Sequence, residues 1–308
     1  MSPRRPRNLG ASVRDRLLNL AREKQEPFDL VLLRYAVERL LYRLSQSGWR
    51  DRFVLKGALL FPVWGEQVYR PTRDLDLLGR DPADVVATVS IFRALCSVSV
   101  PEDALAYLPE TIRGEQIRER NAYHRVRIRL HARLAEAVIP LQIDVGFGDV
   151  EMPAAEEATF PPLLDLPAAR VLVYSRYTVV AEKFQAMAVL GMANSRMKDY
   201  YDLWVIARRF PFDGPLLGRA LAATFLRRRA RLPLDAPLAL SGSFSGDQTK
   251  RTQWAAFLRR NRLEAQGQAL PAVVDLLKSF LLPPVMAGAR GEPFPCHWPP
   301  GGPWKDAH

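Results

Sequence analysis

The sequence predicts an α+β chain: an α/β N-terminal half, then an all-helical C-terminal half. Three observations predict it. Residues 74–78, 124–131 and 141–145 alternate apolar and polar side chains, the period of a strand with one buried face. From about 177 to 282 the apolar positions recur every three or four residues, the period of a packed helix. Between these halves, residues 151–170 are rich in Pro and Ala and read as a linker. The predicted boundaries are therefore 1–170 for the α/β domain, 171–282 for the helical domain and 283–308 for a flexible tail rich in Pro and Gly.

Taken in order, residues 11–48 read as helix, with Leu30, Leu33, Ala36, Leu40, Leu41 and Leu44 near helical spacing. "FVLKGALLFPVW" (53–64) is apolar and reads either as a strand breaking at Gly57 or as a helix starting there. Pro62 fits the first turn of such a helix and not its interior. "DLDLL" (74–78) is a half-buried strand. Residues 81–98 read as a helix with Asp81 as cap and Pro82 at its first position. "HRVRIRLH" (124–131) is a strand with His124, Val126, Ile128 and Leu130 on one face. Arg125, Arg127, Arg129 and His131 occupy the other. In "LQIDV" (141–145), Leu141, Ile143 and Val145 point one way, Gln142 and Asp144 the other. The helical half is interrupted near 211–215 and 232–250.

The totals narrow the function. The chain has 308 residues and a formal net charge of +11, which favours an anionic partner such as nucleic acid or a nucleotide. Only seven residues are Lys against 37 Arg, so a retained Lys is a candidate for a role that needs an ammonium group. Two Cys and four scattered His give neither a zinc spacing nor a disulfide framework. No signal peptide and no spanning apolar run is read, and the expected location is the cytoplasm, with no membrane partner.

The chemistry lies in the carboxylates. Asp74 and Asp76 are two apart on a strand and share a face. Asp144 projects from a later strand. Were those strands neighbours, three carboxylates would converge, and hard divalent cations such as Mg²⁺ take oxygen ligands of this kind. Lys183 lies in "VVAEKFQAM" beside the apolar stripe of Val179, Val180, Phe184 and Met187. Lys198 and Asp202, four apart, have the spacing of a plain ion pair on a helix, and Asp202 reads as structural. Tyr200, Tyr201 and Trp204 read as packing residues. "LRRRAR" (226–231) and "LRRNR" (258–262) read equally as solvated helix faces or as basic patches.

"FVLKGALLF…RPTRDLDLLG" resembles the opening motif of the nucleotidyltransferase AbiEii/AbiGii toxin family, of the DNA polymerase β-like nucleotidyltransferase superfamily. "YTVVAEKFQAMAVLGMANSRMKDYYDLWVI" resembles that family's helical motifs, a Lys in one helix and then Lys-Asp-x-x-Asp-Leu. The resemblance covers about residues 50–207. It implies a polymerase β-like N-terminal half with a mixed sheet. It also implies transfer of a nucleoside monophosphate from an NTP to an acceptor such as a tRNA 3′ end, with Mg²⁺ (or Mn²⁺) as cofactor. The partner it implies is a separate winged-helix antitoxin encoded nearby. Carried over, Asp74, Asp76 and Asp144 are the metal-binding acids, and Asp144 is alternatively the base. Lys183 and Asp199 form a second catalytic pair, and Lys56, Gly57 and Lys198 bind the nucleotide. One departure stands out: after Gly57 this chain has Ala58-Leu59, where the superfamily has a Ser or Thr hydroxyl. That departure supports an alternative reading, a nucleotide- or RNA-binding module without turnover.

Overall fold

The computed structural model of the chain describes residues 8–65, 70–82, 84–118, 124–263 and 268–306. Residues 1–7, basic in sequence, and the side chain of His124 lie outside the described residues. The chain divides into two compact units. The first comprises Met1–Gly148 with Glu156–Val173, the second Asp149–Ala155 with Tyr174–His308. The break near 170 is thus at Val173, and five residues of the expected linker, 151–155, belong to the second unit.

The first unit holds helices α1 (Leu9–Glu23), α2 (Phe28–Ser45), α3 (Leu60–Val63) and α4 (Val85–Leu95). Its strands are β1 (Phe53–Lys56), β2 (Asp74–Gly79), β3 (Leu105–Arg118), β4 (His124–Leu134), β5 (Ala137–Phe147), β6 (Glu156–Phe160) and β7 (Ala169–Val173). They form one mixed sheet in the order β3-β4-β5-β2-β1-β7-β6, with β2/β5 and β1/β7 parallel and the other pairs antiparallel.

Several expectations are corrected. The single helix over 11–48 is two, because Gln25 takes a left-handed backbone (φ 53°) and Pro27, which has no N–H to donate, precedes α2. The helix expected from Asp81 and Pro82 starts at Val85. Asp84 is extended and caps it by accepting from the Ala87 N–H, while Asp81 pairs with Arg52. Residues 53–64 contain both alternatives in turn: strand β1, a 3₁₀ turn at Gly57–Leu59, then α3 with Pro62 in its first turn. The Pro- and Ala-rich stretch is not a bare linker, since it contributes β6 and the first two residues of β7, both strands only five residues long.

One face of the sheet packs on α1, α2 and α4. Beneath it a buried polar network fixes α2 to the segment entering β3. Asp103 accepts from Arg43 at 2.6 and 3.2 Å and from Arg39 Nε at 3.3 Å, and Tyr107 donates to the Ala36 carbonyl at 2.5 Å. Cys96 and Cys296 are both free. Burial pushes the Cys96 thiol up to about 11. In a Cys296→Ser background, Cys96 is expected to react with a thiol reagent at pH 8 about a hundredfold more slowly native than denatured, because the thiolate is the reactive form. Equal rates would contradict the burial.

The second unit holds α5 (Arg176–Leu190), α6 (Met197–Arg209), α7 (Gly214–Arg227), α8 (Gly242–Gly246), α9 (Gln248–Asn261) and α10 (Leu270–Arg290). Three short strands join the helices, β8 (Phe212–Asp213), β9 (Cys296–Trp298) and β10 (Lys305–Asp306), in the order β10-β9-β8. The flexible tail expected from 283 is corrected too. Residues 283–290 are the last turns of α10, and Trp298 is 1% exposed with its indole N–H donating to the Ala207 carbonyl at 2.7 Å. Aromatic burial of this size overrides the local Pro and Gly content. α10 is also, by length and composition, apolar enough to cross a membrane, although the sequence reading found no such run. Asp275 and Lys278 interrupt it, and half of its apolar window is buried within the protein.

Candidate active site

β2 lies between β1 and β5 at the centre of the sheet. Its parallel register with β5 sets Asp76 opposite Asp144 and Asp74 opposite Gln142. β4 pairs with β5 so that Arg127 is opposite Asp144, and β3 sets Glu115 opposite Arg127. On the other side Lys56 of β1 is opposite Asp76. Paired residues share a sheet face, so Glu115, Arg127, Asp144, Asp76 and Lys56 form one charged row across five strands. The reverse face carries Leu75, Leu77, Val126, Ile128, Ile143 and Val145, all buried. This apolar side locks the register, because a one-residue slip would bury every acid.

The carboxylates are engaged within the protein. Asp144 accepts two bonds from Arg127, Nε to Oδ1 at 2.7 Å and Nη2 to Oδ2 at 2.8 Å, a fork-on-fork ion pair. This pairing is the main cause holding the Arg127 guanidinium above its usual pKa. Burial opposes the shift, and the charges of Asp144, Asp74 and Glu115 add to it. Asp74 Oδ1 accepts from Gln142 Nε2 at 2.9 Å. Asp76 rests against Gly57, whose φ of 75° lies in the left-handed region. A Cβ added at Gly57 would collide with the Asp76 carboxylate, so glycine is required twice over. Ala58, next in the turn, is buried and supplies no hydroxyl.

As donors, Asp74, Asp76 and Asp144 are hard oxygen ligands of the kind Mg²⁺ takes, and the notch at Gly57 keeps the Asp76 carboxylate clear of side-chain carbon. In donor chemistry and strand register, therefore, they suit a divalent cation. Among the described residues, however, no three His, Cys, Asp or Glu side chains are gathered into a ready metal cluster. On the β5 side the Arg127 fork already engages Asp144.

In the second unit, α5 and α6 bring Lys183 and Asp199 together and add a residue that the sequence assigned to structure. Lys183 Nζ lies 2.8 Å from Asp199 Oδ1 and 2.6 Å from Asp202 Oδ2. Both aspartates are 0% exposed and Lys183 only 13%. Arg196 Nε lies 2.7 Å from Asp199 Oδ2. Asp202 thus pairs with Lys183 on the neighbouring helix, and Lys198, the partner its spacing suggested, is exposed. Helical spacing reports neighbours on one helix and is silent about the facing one. Tyr200, Tyr201 and Trp204 are buried, as packing residues are. Arg228 of the first basic run is drawn inward to Gln185 and Asp149, whereas Arg227, Arg229, Arg259 and Arg260 are exposed. Arg73 forms an exposed pair with Asp29 at 2.8 Å.

The chain is similar to two solved proteins of Helicobacter pylori, JHP933 and a putative nucleotidyltransferase. Each is 12% identical over 82% of this chain, covering 87% and 89% of its own length, with TM-scores of 0.41 and 0.40. No curated protein matches. The model of one family, the nucleotidyl transferase AbiEii toxin of Type IV toxin–antitoxin systems, matches residues 39–278, a span that takes in the Gly57 turn, both acid-bearing strands and the Lys183 and Asp199 helices. By that match the chain belongs to the AbiEii nucleotidyl transferase toxin family.

Proposed function

We propose that the protein moves a nucleoside monophosphate from an NTP to the 3′ end of an RNA, tRNA first among candidates, in a reaction that depends on Mg²⁺ or Mn²⁺. The observation that carries this reading is the pairing of Asp76 with Asp144 on adjacent parallel strands beside the Gly57 turn. In such a transfer an acceptor hydroxyl oxygen bonds to the α-phosphorus. The α–β bridging bond breaks, pyrophosphate leaves, and the hydroxyl proton goes to a base. Asp74 and Asp76 would hold the cation, with Asp144 as third ligand or base. The cation, when bound, supplies phosphate charge neutralisation and makes the hydroxyl a better nucleophile. Lys56 and the Gly57 turn flank the acids and would hold the triphosphate. Lys183 neutralises phosphate charge in this reading, Asp199 keeps it in place, and exposed Lys198 adds a nucleotide contact.

The net charge of +11 and the Arg125, Arg127 and Arg129 face of β4 favour an RNA acceptor. Family membership implies an antitoxin partner. We take it to be a separate winged-helix protein encoded nearby, with the toxin acting in the cytoplasm where tRNA and NTPs are found.

The test is incubation with bulk tRNA, Mg²⁺ and each labelled NTP in turn. Label is expected to enter RNA with at least one NTP, and Asp76→Asn to lower the rate about a thousandfold, the equivalent of several kcal/mol of lost charge stabilisation. Label entering RNA at the same rate in that variant would reject the assignment. Ala58 favours a second reading, nucleotide binding without turnover. Saturable NTP binding with no label transferred to RNA by the unmodified protein would establish that one instead.

A further inference from the structure

Within the central row, Arg127 and Asp144 are joined by two parallel bonds between partners on adjacent strands. The pair is also partly withdrawn from water, with Arg127 27% and Asp144 12% exposed. Its geometry is set by the sheet rather than by chance contact, because the two residues are directly opposed in the β4–β5 ladder. A fork of this kind takes up the inward lone pairs of both carboxylate oxygens, which are the ones a cation would use. Around it stand four acids, Glu115, Asp74, Asp76 and Asp144, and three cations, Lys56, Arg127 and Arg129, the last 2.9 Å from Glu115. Removing one cation therefore leaves this face markedly more acidic.

We infer that Arg127 competes with the divalent cation for Asp144. In the resting protein Asp144 belongs to Arg127, and a cation held by Asp74 and Asp76 gains its third ligand only by displacing the guanidinium. Arg127 is then the residue that sets how tightly the cation is held. The displaced guanidinium remains on the same face of the sheet, where phosphate oxygens of the incoming nucleotide would replace its lost partner. Cation and triphosphate binding are coupled on this view, each favouring the state the other needs. The inference rests on the proposed cation site, and it concerns a residue that neither the glycine turn nor the Asp-x-Asp motif identifies.

The test is direct titration of the full-length protein with Mn²⁺ alone, followed by calorimetry, on the unmodified protein and on Arg127→Gln, Arg127→Lys, Asp144→Asn, Asp76→Asn and the Arg127→Gln/Asp144→Asn double variant. Thermal melts accompany each titration to establish folding. Arg127→Gln is expected to bind Mn²⁺ about tenfold more tightly, since ligand charge sets divalent-cation affinity. Arg127→Lys, which keeps the charge but loses the fork, is expected to fall between the two and serves if the Gln variant does not fold. In the Asp144→Asn background the Arg127 substitution is expected to have less than a twofold effect, because the contested ligand is gone. Mn²⁺ binding that depends on Asp76 but is unchanged or weakened by both Arg127 substitutions would overturn this inference and leave the proposed function standing. No Mn²⁺ binding by any of the proteins would overturn both.

Discussion

Lys183→Met is expected to lower the unfolding free energy of the protein by about 3–5 kcal/mol, the range found when one partner of a buried ion pair is removed. Lys183 is the shared counter-ion of two wholly buried carboxylates, at 2.8 and 2.6 Å. Asp199 would keep Arg196 at 2.7 Å, but Asp202, 0% exposed, would lose its ammonium partner at 2.6 Å. A methionine is long enough to fill much of the space, so the loss would come from the lost ion pair and not from a cavity. Urea unfolding followed by circular dichroism measures it. A change below about 1 kcal/mol, the range of exposed ion pairs, would mean that the cluster is not buried as described. Asp202→Asn in the Lys183→Met background is expected to recover a large part of the loss. The consequence for enzymology is practical: any activity lost on replacing Lys183 has to be corrected for folded fraction before a chemical role is assigned.

The second large effect belongs to Gly57. Gly57→Ala is expected to lower nucleotidyl transfer about a hundredfold, the size of effect that a 1 Å displacement of a reacting group produces. The added methyl would meet the Asp76 carboxylate, so the acid must move or the turn must open. Backbone strain at a φ of 75° would add about 1–3 kcal/mol. Gly65 separates the two causes. Its φ is 84°, yet a Cβ there meets nothing within 4 Å. Gly65→Ala therefore incurs the strain alone and is expected to keep its transfer rate within about threefold once the folded fraction is matched. If both alanine variants lose activity equally, the collision with Asp76 is not what matters at position 57.

What the sequence made legible follows from which forces act locally. Asp74 and Asp76 were readable as one face of a strand because Leu75 and Leu77 alternate with them, and β5 was readable for the same reason. β3 was not, because its register with β4 shifts between Leu108 and Arg113, and Pro109 and Gly114 interrupt its pattern. β6 and β7 were hidden by their length, and the end of α10 by its two prolines. The Arg127–Asp144 pair shows a different limit. β4 and β5 are joined through Ala135 and Glu136, with Leu134 opposite Ala137, and that turn alone sets position 127 against 144. Had the turn been recognised, the pair would have followed by counting. Ala135 has a φ of 49°, a conformation usually signalled by Gly, Asn or Asp, and the sequence offers none there. The parallel register of β2 with β5 had no local signal at all, since no short turn joins them. The partner of Asp202 was misread because it stands on another helix.

The path of the chain between its two units bears on how the gene can be dissected. The polypeptide leaves the first unit after Gly148, re-enters it at Glu156 and leaves again after Val173. A fragment stopped at 148 lacks β6 and β7, and so lacks the strand that runs parallel to β1. A fragment begun at 174 lacks Met152, whose carbonyl accepts from Thr178 Oγ1 at 3.0 Å at the head of α5. No single cut returns both units whole. Halves divided at one position therefore always leave one unit short of a segment that belongs to it.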